Sequence, residues 1–475
     1  MDSKKTKIIS IVSVIALAAI LVGATYAYFQ AQTGEGSQTD IKINANTVDT
    51  FNFETGDPLS INLNQENFAS GKGNQTGSTY AKAILTANNK TNSATNKYYL
   101  YLNISNNTFG YTQDKNTPEI ILTIKDGSNT ELTRVTGLTY KTVTDGKGNT
   151  ITGFDITNKD GLITIFSNRS ITTTSTTEET WNVTVTFVNY NLDQSANAGK
   201  SFNAKLMIQK EKIPVNLSEV CKSGDNLADC IIAFANKSFP SVSNIYHHDA
   251  NLTNGANDDS YRYAGTSPFN FVTIDGNNYR IIGVVDGKVK VISESLIENM
   301  SWNSDSWSTW AESSLNAYLN ETYLNQLGDL NNNIDTVTWK VGNNASENIL
   351  SVPSMTYQNE IVSPASSTTY EAKIGLMYVS DYGFSAQQKA WNLGMSNYDN
   401  AIAANNNWLY SKKEEWTISS RDESNKYYVT SNGNIGDDGS PDDSSMIARP
   451  VFYLSSNVKY AGGTGLRAQT IKISY

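Results

Sequence analysis

The stretch Trp181-Asn-Val-Thr-Val-Thr-Phe-Val188 decides the fold of the N-terminal half of this chain. Its large apolar side chains alternate with polar ones and would share one face of an extended backbone: Trp181, Val183, Val185 and Phe187. Such a period of two predicts a strand with one face buried in an antiparallel sheet. The threonines between them favour the same conformation because β-branched side chains suit strands.

The same alternation recurs on both sides of this stretch, between residues 28 and 213. Short alternating runs are separated by polar clusters with turn signals such as Asp126-Gly127, Asp145-Gly146 and Asp160-Gly161. The runs are Tyr80–Thr86, Tyr98–Ile104, Glu119–Lys125, Gly161–Phe166 and Ser201–Gln209. Several strands at this spacing predict a mainly β fold, with a jelly-roll-like antiparallel β-sandwich over residues 28–213.

The pattern changes after residue 213. Residues 214–237 read as a linker that carries a cysteine loop and a short helix near 228–235. Residues 238–475 read as an α+β ligand-binding domain. Its first strands form a meander through Asp275-Gly276 and Asp286-Gly287, and an apolar stripe at helical spacing predicts a helix over 313–327, ended by Gly328. A further strand is predicted over 373–380.

Residues 1–27 predict an export signal. Three lysines precede an uncharged run over residues 8–29, and small residues occupy the positions that a peptidase needs for cleavage after Ala27. The alternative is a retained membrane anchor, because the run could span ~30 Å of hydrocarbon at about 1.5 Å per residue. We expect a secreted or cell-surface protein in either case, with contact to the membrane only through this segment.

Cys221 and Cys230 are the two cysteines of the chain. Export would permit a disulfide between them, which would contribute about 2–3 kcal/mol by closing a short loop. Two reduced thiols are the alternative.

Composition and motifs limit the function classes. A net charge of −10 argues against a nucleic-acid partner. The sequence has no Gly-x-Ser-x-Gly, no His-Glu-x-x-His, no phosphate-binding loop and no dinucleotide fingerprint. Its two histidines, His247 and His248, are adjacent, and neighbours on a strand point to opposite faces. We therefore expect no enzymatic activity.

Two parts of the N-terminal half resemble the TasA/camelysin family of Gram-positive bacteria. The signal closes on a Gly-(x)-Thr-aromatic-Ala-x-Phe pattern over residues 23–29, typical of signal peptides that a dedicated peptidase removes. The sandwich shares an aromatic strand ending in Phe-Val-Asn-Tyr190, a polar loop over 192–199 and the run Lys200–Ile208. The resemblance implies a jelly-roll-like sandwich that assembles into extracellular fibres or decorates the cell surface.

The C-terminal half resembles an uncharacterised domain family found on surface proteins of Gram-positive gut bacteria. Besides the cysteine loop, the matching blocks in chain order are Asp259–Gly265, Tyr279–Gly283, Leu315–Leu319, Trp416–Arg421 and Arg449–Leu454. Their layout is similar to that of C-type-lectin-like and formylglycine-generating-enzyme-like folds. The chain lacks the additional cysteines that the family often carries near its second strand.

Two kinds of candidate site follow from the residue types. Indole rings stack on sugars, so the candidate ligand-binding residues are Trp302, Trp307, Trp310 and Arg421, with core packing as the alternative for the tryptophans. Calcium prefers oxygen ligands from acidic, amide-rich loops. The candidate calcium ligands are Asp249, Asp258, Asp259, Asp437, Asp438, Asp442 and Asp443, with solvated turns as the alternative. No other cofactor is predicted.

Three functions remain open at this point. The first is a non-enzymatic binding or adhesion protein of the cell surface or extracellular matrix, with an extracellular glycan or protein as its ligand. The second is a structural fibre subunit that assembles with itself through the β-sandwich. The third is a secreted carbohydrate-active enzyme, because the distance between paired carboxylates is invisible in a sequence.

Overall fold

A computed structural model describes residues 49–68, 71–88, 93–249, 259–399 and 403–475. The predicted export segment, its cleavage site at Ala27 and the candidate ligand Asp258 lie outside these residues. The chain is mainly β, as predicted. The described residues divide into two compact units, one within Asn52–Ala83, Asn96–Ile171 and Glu178–Tyr475, and a small one of residues 49–51, 84–88, 93–95 and Thr172–Thr177. Among the described residues, no helix is both long and apolar enough to cross a membrane.

The described strands before residue 210 form two antiparallel sheets. Their bounds are β1 Thr50–Thr55, β2 Leu59–Asn62, β3 Gln75–Thr86, β4 Ala94–Asn107, β5 Ile120–Asp126, β6 Tyr140–Thr144, β7 Thr150–Asp155, β8 Gly161–Thr173, β9 Thr176–Phe187 and β10 Ser201–Gln209. One sheet has the order β1-β3-β9-β5-β7-β6, and the other has the order β2-β10-β4-β8.

The predicted strand Trp181–Val188 forms the second half of β9, except for Val188, which follows it. Trp181, Val183, Val185 and Phe187 are all buried, and β9 pairs with β5 over Trp181–Phe187. The Trp181 indole N–H donates to the hydroxyl of Tyr98 on β4, at 2.8 Å, which links the buried faces of the two sheets. A sandwich follows because each sheet hides its apolar face against the other.

One of the predicted N-terminal hairpins is wrong. Asp145-Gly146 does turn the chain between β6 and β7. Asp160-Gly161 instead leads into β8, whose neighbour is β4 in the other sheet, so it does not join two paired strands. Gly161 keeps a local reason to be glycine, because its φ is +72°.

Cys221 and Cys230 are joined by a disulfide, with their Cα atoms 5.6 Å apart. Cys230 lies in the helix Leu227–Lys237, whose N-cap Asn226 accepts the backbone N–H of Asp229 at 3.1 Å. The other described α-helical segments are Pro240–Ser243, Ser314–Ala317, Leu324–Gln326, Ser346–Ile349, Pro353–Tyr357 and Val379–Ser385.

A nine-stranded sheet organises the C-terminal half. Its strands are β11 Ile245–His248, β12 Ser260–Tyr263, β13 Phe271–Ile274, β14 Asn277–Val285, β15 Lys288–Ser293, β18 Ile374–Gly375, β22 Val451–Tyr453, β23 Lys459–Gly462 and β24 Ile471–Ser474. The order is β18-β22-β15-β14-β13-β24-β23, and β12 pairs with β14 while β11 pairs with β12. Two smaller sheets hold β16 Val337–Lys340 with β17 Thr369–Ala372, and β19 Glu415–Ser420 with β20 Lys426–Val429 and β21 Ile435–Gly439.

Both predicted Asp-Gly hairpins of this sheet are present. Asp275-Gly276 joins β13 to β14, and Asp286-Gly287 joins β14 to β15. All four residues have φ between +48° and +80°, the left-handed pair that a two-residue hairpin requires.

The predicted helix over 313–327 is also present, although a π-helical turn, Tyr318–Tyr323, replaces its middle. Gly328 ends it with φ +57°. The strand predicted over 373–380 is mostly wrong. Only Ile374–Gly375 pairs as a strand, and a helix begins at Val379.

Two acidic side chains explain why a helix begins at Val379, within the segment that was predicted as a strand. The buried carboxylate of Glu360 accepts the backbone N–H groups of Val379 and Ser380 at 3.1 and 3.0 Å, and Asp381 accepts that of Tyr378 at 3.0 Å. These acceptors satisfy N–H groups that a helix leaves free at its first turn. The helix start is therefore stabilised by Glu360, which is distant in sequence, and by Asp381 within the helix itself.

Asp381 is also the centre of a buried ion cluster. Its two oxygens bind Arg262 Nη1 at 2.6 Å and Lys290 Nζ at 2.5 Å, and all three side chains are almost completely buried. Burial opposes ionisation of Asp381, but the charges of Lys290 and Arg262 outweigh it and hold its pKa below the usual value. Burial raises the pKa of the neighbouring Glu360.

Candidate functional site

The region with the most predicted site residues is the three-stranded sheet β19-β20-β21 and the loop over residues 300–313, here called the Trp loop. The loop is tied to the hairpin between β19 and β20. Ser308 donates its backbone N–H to the carbonyl of Glu423 at 2.9 Å, and Asn303 donates to the carbonyl of Pro441 at 2.8 Å. The structure therefore brings together segments that are more than a hundred residues apart in sequence.

The buried side chain of Lys426 links the Trp loop to the hairpin between β19 and β20 by hydrogen bonds. Lys426 Nζ donates to the carbonyls of Ser308 and Asp422 at 2.8 and 2.7 Å and to Ser420 Oγ at 3.1 Å. These acceptors match the three N–H groups of an ammonium. Burial lowers the pKa of Lys426 to about 8. The sequence analysis missed this residue, because nothing local distinguishes it from a surface lysine.

Trp302 and Trp310 are core residues, which corrects their assignment to a ligand surface. Their rings meet edge to face at 5.0 Å between centroids, and Trp302 packs in the same way against Trp416 at 5.9 Å. Neither Trp302 nor Trp310 keeps more than 2% of its surface exposed. A ring without an accessible face cannot stack on a sugar, so these residues hold the loop in place.

Trp307 differs from every other tryptophan in the chain. It is 57% exposed, whereas the other seven of the eight tryptophans are at most 7% exposed. Exposing so large an apolar ring has a free-energy cost of roughly 25 cal/mol per Å² relative to burial. A well-defined loop that presents this one indole to solvent offers a flat apolar surface to a partner.

Arg421 lies at the end of β19 and faces the acidic strand β21. Its Nη1 donates to Asp437 Oδ2 at 3.4 Å, and its Nε lies 3.8 Å from Asp422 Oδ2. Asp437 also accepts the hydroxyl of Ser346. Hydrogen bonds from Asn425 and nearby backbone N–H groups outweigh burial and lower the pKa of Asp422. Arg421 thus lies among carboxylates on the sheet to which the Trp loop is hydrogen-bonded.

The four predicted calcium ligands of this region do not form a cage in the structure. Asp437 binds Ser346 and Arg421, Asp438 accepts the hydroxyl of Tyr428 at 3.2 Å, and the other two bind serines of their own turns. Those two are Asp442 with Ser440 and Asp443 with Ser445. Within the described ranges, no three His, Cys, Asp or Glu side chains converge on a point that could hold a metal ion.

The other predicted acidic cluster is only partly described. Asp249 directly follows β11 and is partly buried, and Asp259 Oδ1 lies 2.5 Å from His247 Nε2. His247 stacks on Tyr261 with centroids 4.5 Å apart, whereas its neighbour His248 is buried against Phe384. The two histidines therefore point in opposite directions, as expected for adjacent strand residues.

Comparison with protein-family models, with curated proteins and with solved structures found no match for this chain. The family resemblances of the two halves therefore remain predictions from the sequence.

Proposed function

We propose that this chain is an exported bacterial protein of the cell surface or extracellular matrix, and that its C-terminal half binds a glycan without converting it. Export rests on the signal pattern of residues 1–27. Glycan binding rests above all on Trp307, the one strongly exposed tryptophan of the chain. The resemblance of this half to lectin-like folds supports the same function.

The chemistry around Trp307 suits a sugar. An indole face packs against the C–H groups of a pyranose ring, while carboxylates and guanidinium groups hydrogen-bond to its hydroxyls. Arg421 and Asp437 supply such groups on the same sheet that holds the Trp loop. Lys426 keeps the loop in position, so little ordering entropy would be lost on binding.

The test is a glycan array with the purified protein, its Trp307→Ala variant and a Leu192→Ala control. Leu192 is a suitable control because it is also 57% exposed but lies in the loop before β10. We expect specific binding that Trp307→Ala reduces at least tenfold and Leu192→Ala leaves unchanged. Binding that survives Trp307→Ala, or no binding on the array, would refute the assignment.

Two further arms separate the alternatives. Loss of binding in chelator would indicate a calcium requirement supplied by residues such as Asp258 that lie outside the described ranges. Release of sugar products that is abolished by Asp437→Asn would instead identify a carbohydrate-active enzyme, because one carboxylate of a catalytic pair would be lost.

A fibre subunit is a second candidate, favoured by one feature of the sandwich. Strand β8, Gly161–Thr173, is 13 residues long and lies at one end of the order β2-β10-β4-β8. Edge strands of this length offer backbone groups for pairing with another chain. If the chain is a fibre subunit, light scattering should show concentration-dependent growth that Ile165→Pro in β8 prevents. Scattering that stays constant with concentration would count against assembly.

A further inference from the structure

Three arginines lie in apolar parts of the C-terminal core, and two of them have a carboxylate partner. Arg262 binds Asp381 at 2.6 Å, and Arg449 binds both oxygens of Glu415 at 2.7 and 2.9 Å. Arg280 on β14 has no carboxylate within ion-pair distance among the described residues, although most of its guanidinium is enclosed. The positive charge of Arg280 therefore has no directly bound carboxylate in a largely buried environment, where an unpaired charge is destabilising.

The guanidinium of Arg280 is held between two aromatic rings. Its central carbon lies 4.0 Å from the ring centroid of Phe271 and 4.5 Å from that of Trp408. Rings on both sides stabilise the cation and block approach from above and below its plane. An anion can therefore reach Arg280 only along the edge of the guanidinium.

One of the two forked edges is already occupied. Nε and Nη2 both donate to Asn270 Oδ1, at 2.8 and 2.6 Å. Asn270 is fully buried, and its own Nδ2 donates to the carbonyl of Ile281 at 2.8 Å, so its oxygen must face Arg280. The second fork is formed by Nη1 and the other hydrogen of Nη2. Among the described residues, its one hydrogen-bond contact is that of Nη1 with the carbonyl of Trp408, at 3.5 Å.

The charges nearest Arg280 cancel in pairs. Arg467 binds Glu294 at 2.7 Å, and Arg449 is neutralised by Glu415. Arg467 also stacks on Phe271, with its guanidinium carbon 4.5 Å from the ring centroid, and its side chain is 70% exposed. Burial, with smaller contributions from Arg449 and Arg467, lowers the pKa of Arg280, while Glu294 acts in the opposite direction. A net positive charge remains at this aromatic stack.

We propose that the free fork of Arg280 binds a carboxylate group of a ligand, with Arg467 as a second cation beside it. A carboxylate is planar and places two oxygens at the spacing of the two N–H groups. The site is separate from the Trp307 surface and does not depend on glycan binding there.

The minimal probe is acetate, tested on the purified protein by thermal unfolding and calorimetry against chloride at equal ionic strength. We expect acetate to raise the midpoint of the wild type, and Arg280→Gln to abolish that shift. Arg280→Lys keeps the charge but loses the fork, so it should weaken acetate binding about tenfold. The control Arg134→Gln removes an exposed arginine of the sandwich and should respond as the wild type does.

Two results would overturn the proposal: a wild type that acetate stabilises no more than chloride, or an Arg280→Gln variant that still responds. If Arg280→Gln does not fold by circular dichroism, Arg467→Gln decides, because the Arg467 side chain is 70% exposed and loss of an exposed ion pair costs little stability. An unchanged acetate response in Arg467→Gln would then overturn the site.

A second set of probes identifies the source of the carboxylate. A uronic-acid oligosaccharide and a glutamate-rich peptide would each present the same group on a different scaffold. Whichever binds more tightly than acetate, and loses that advantage in Arg280→Gln, identifies an acidic polysaccharide or an acidic polypeptide as the ligand. Equal binding of all three would support a site for small carboxylate anions.

Discussion

Replacing Asp381 by Asn should destabilise the C-terminal half severely. The substitution keeps the shape of the side chain but removes the negative charge that contacts both Arg262 and Lys290. Removing one partner of a buried ion pair costs about 3–5 kcal/mol, because the other charge stays buried without compensation. Two cations depend on Asp381, so we expect the upper end of that range. Typical domains have only about 5–15 kcal/mol of stability.

Guanidinium unfolding followed by tryptophan fluorescence measures this loss. Seven of the eight tryptophans lie after residue 300, so the signal reports the C-terminal half. Adding Lys290→Met to Asp381→Asn removes one of the stranded cations and should recover about 1–3 kcal/mol. Arg421→Ala, at an exposed ion pair, is the control and should cost less than about 1 kcal/mol. A loss below about 1 kcal/mol for Asp381→Asn would refute the role of this carboxylate as a buried counter-ion.

Three other predictions follow from the core. Because the pKa of Asp381 is lower in the folded state, its carboxylate stabilises the fold at pH values above its unfolded pKa of about 3.9, and this stabilisation is lost as pH falls through the folded pKa. The free energy of unfolding of Asp381→Asn, measured over an acid titration, should lack this pH-dependent loss. Gly283→Ala should cost about 1–3 kcal/mol in chemical unfolding, because its Cβ would collide with the carbonyl of Tyr261. Replacing Cys221 and Cys230 by Ser should cost about 2–3 kcal/mol in the same assay.

Local signals in the sequence predicted the parts of the fold that short segments determine. The two Asp-Gly hairpins were predictable because two residues suffice to set a left-handed turn. The stretch Trp181–Val188 was predictable because alternation alone defines which face is buried. The segment 373–380 was not, because Glu360 fixes the helix start at Val379 from outside the segment.

The candidate site shows the same limit. Trp302, Trp307 and Trp310 are equivalent as sequence. Only the packing of Trp310 on Trp302, and of Trp302 on Trp416, separates the buried pair from the exposed ring. The contact of Arg421 with Asp437 depends on the pairing of β19, β20 and β21, which a list of residue types cannot supply. The lack of a carboxylate beside Arg280 among the described residues was visible only in the structure, because the partners of Arg262 and Arg449 come from distant segments.

The position of β24 has a consequence for the timing of folding. This last strand of the sequence, Ile471–Ser474, lies between β13 and β23, and it pairs in parallel with β13, about two hundred residues earlier. Synthesis proceeds from the N-terminus, so the sandwich can form early, whereas the nine-stranded sheet must wait for its final residues. A chain interrupted before Ile471 would leave β13 with an open edge, and such edges recruit other strands into aggregates.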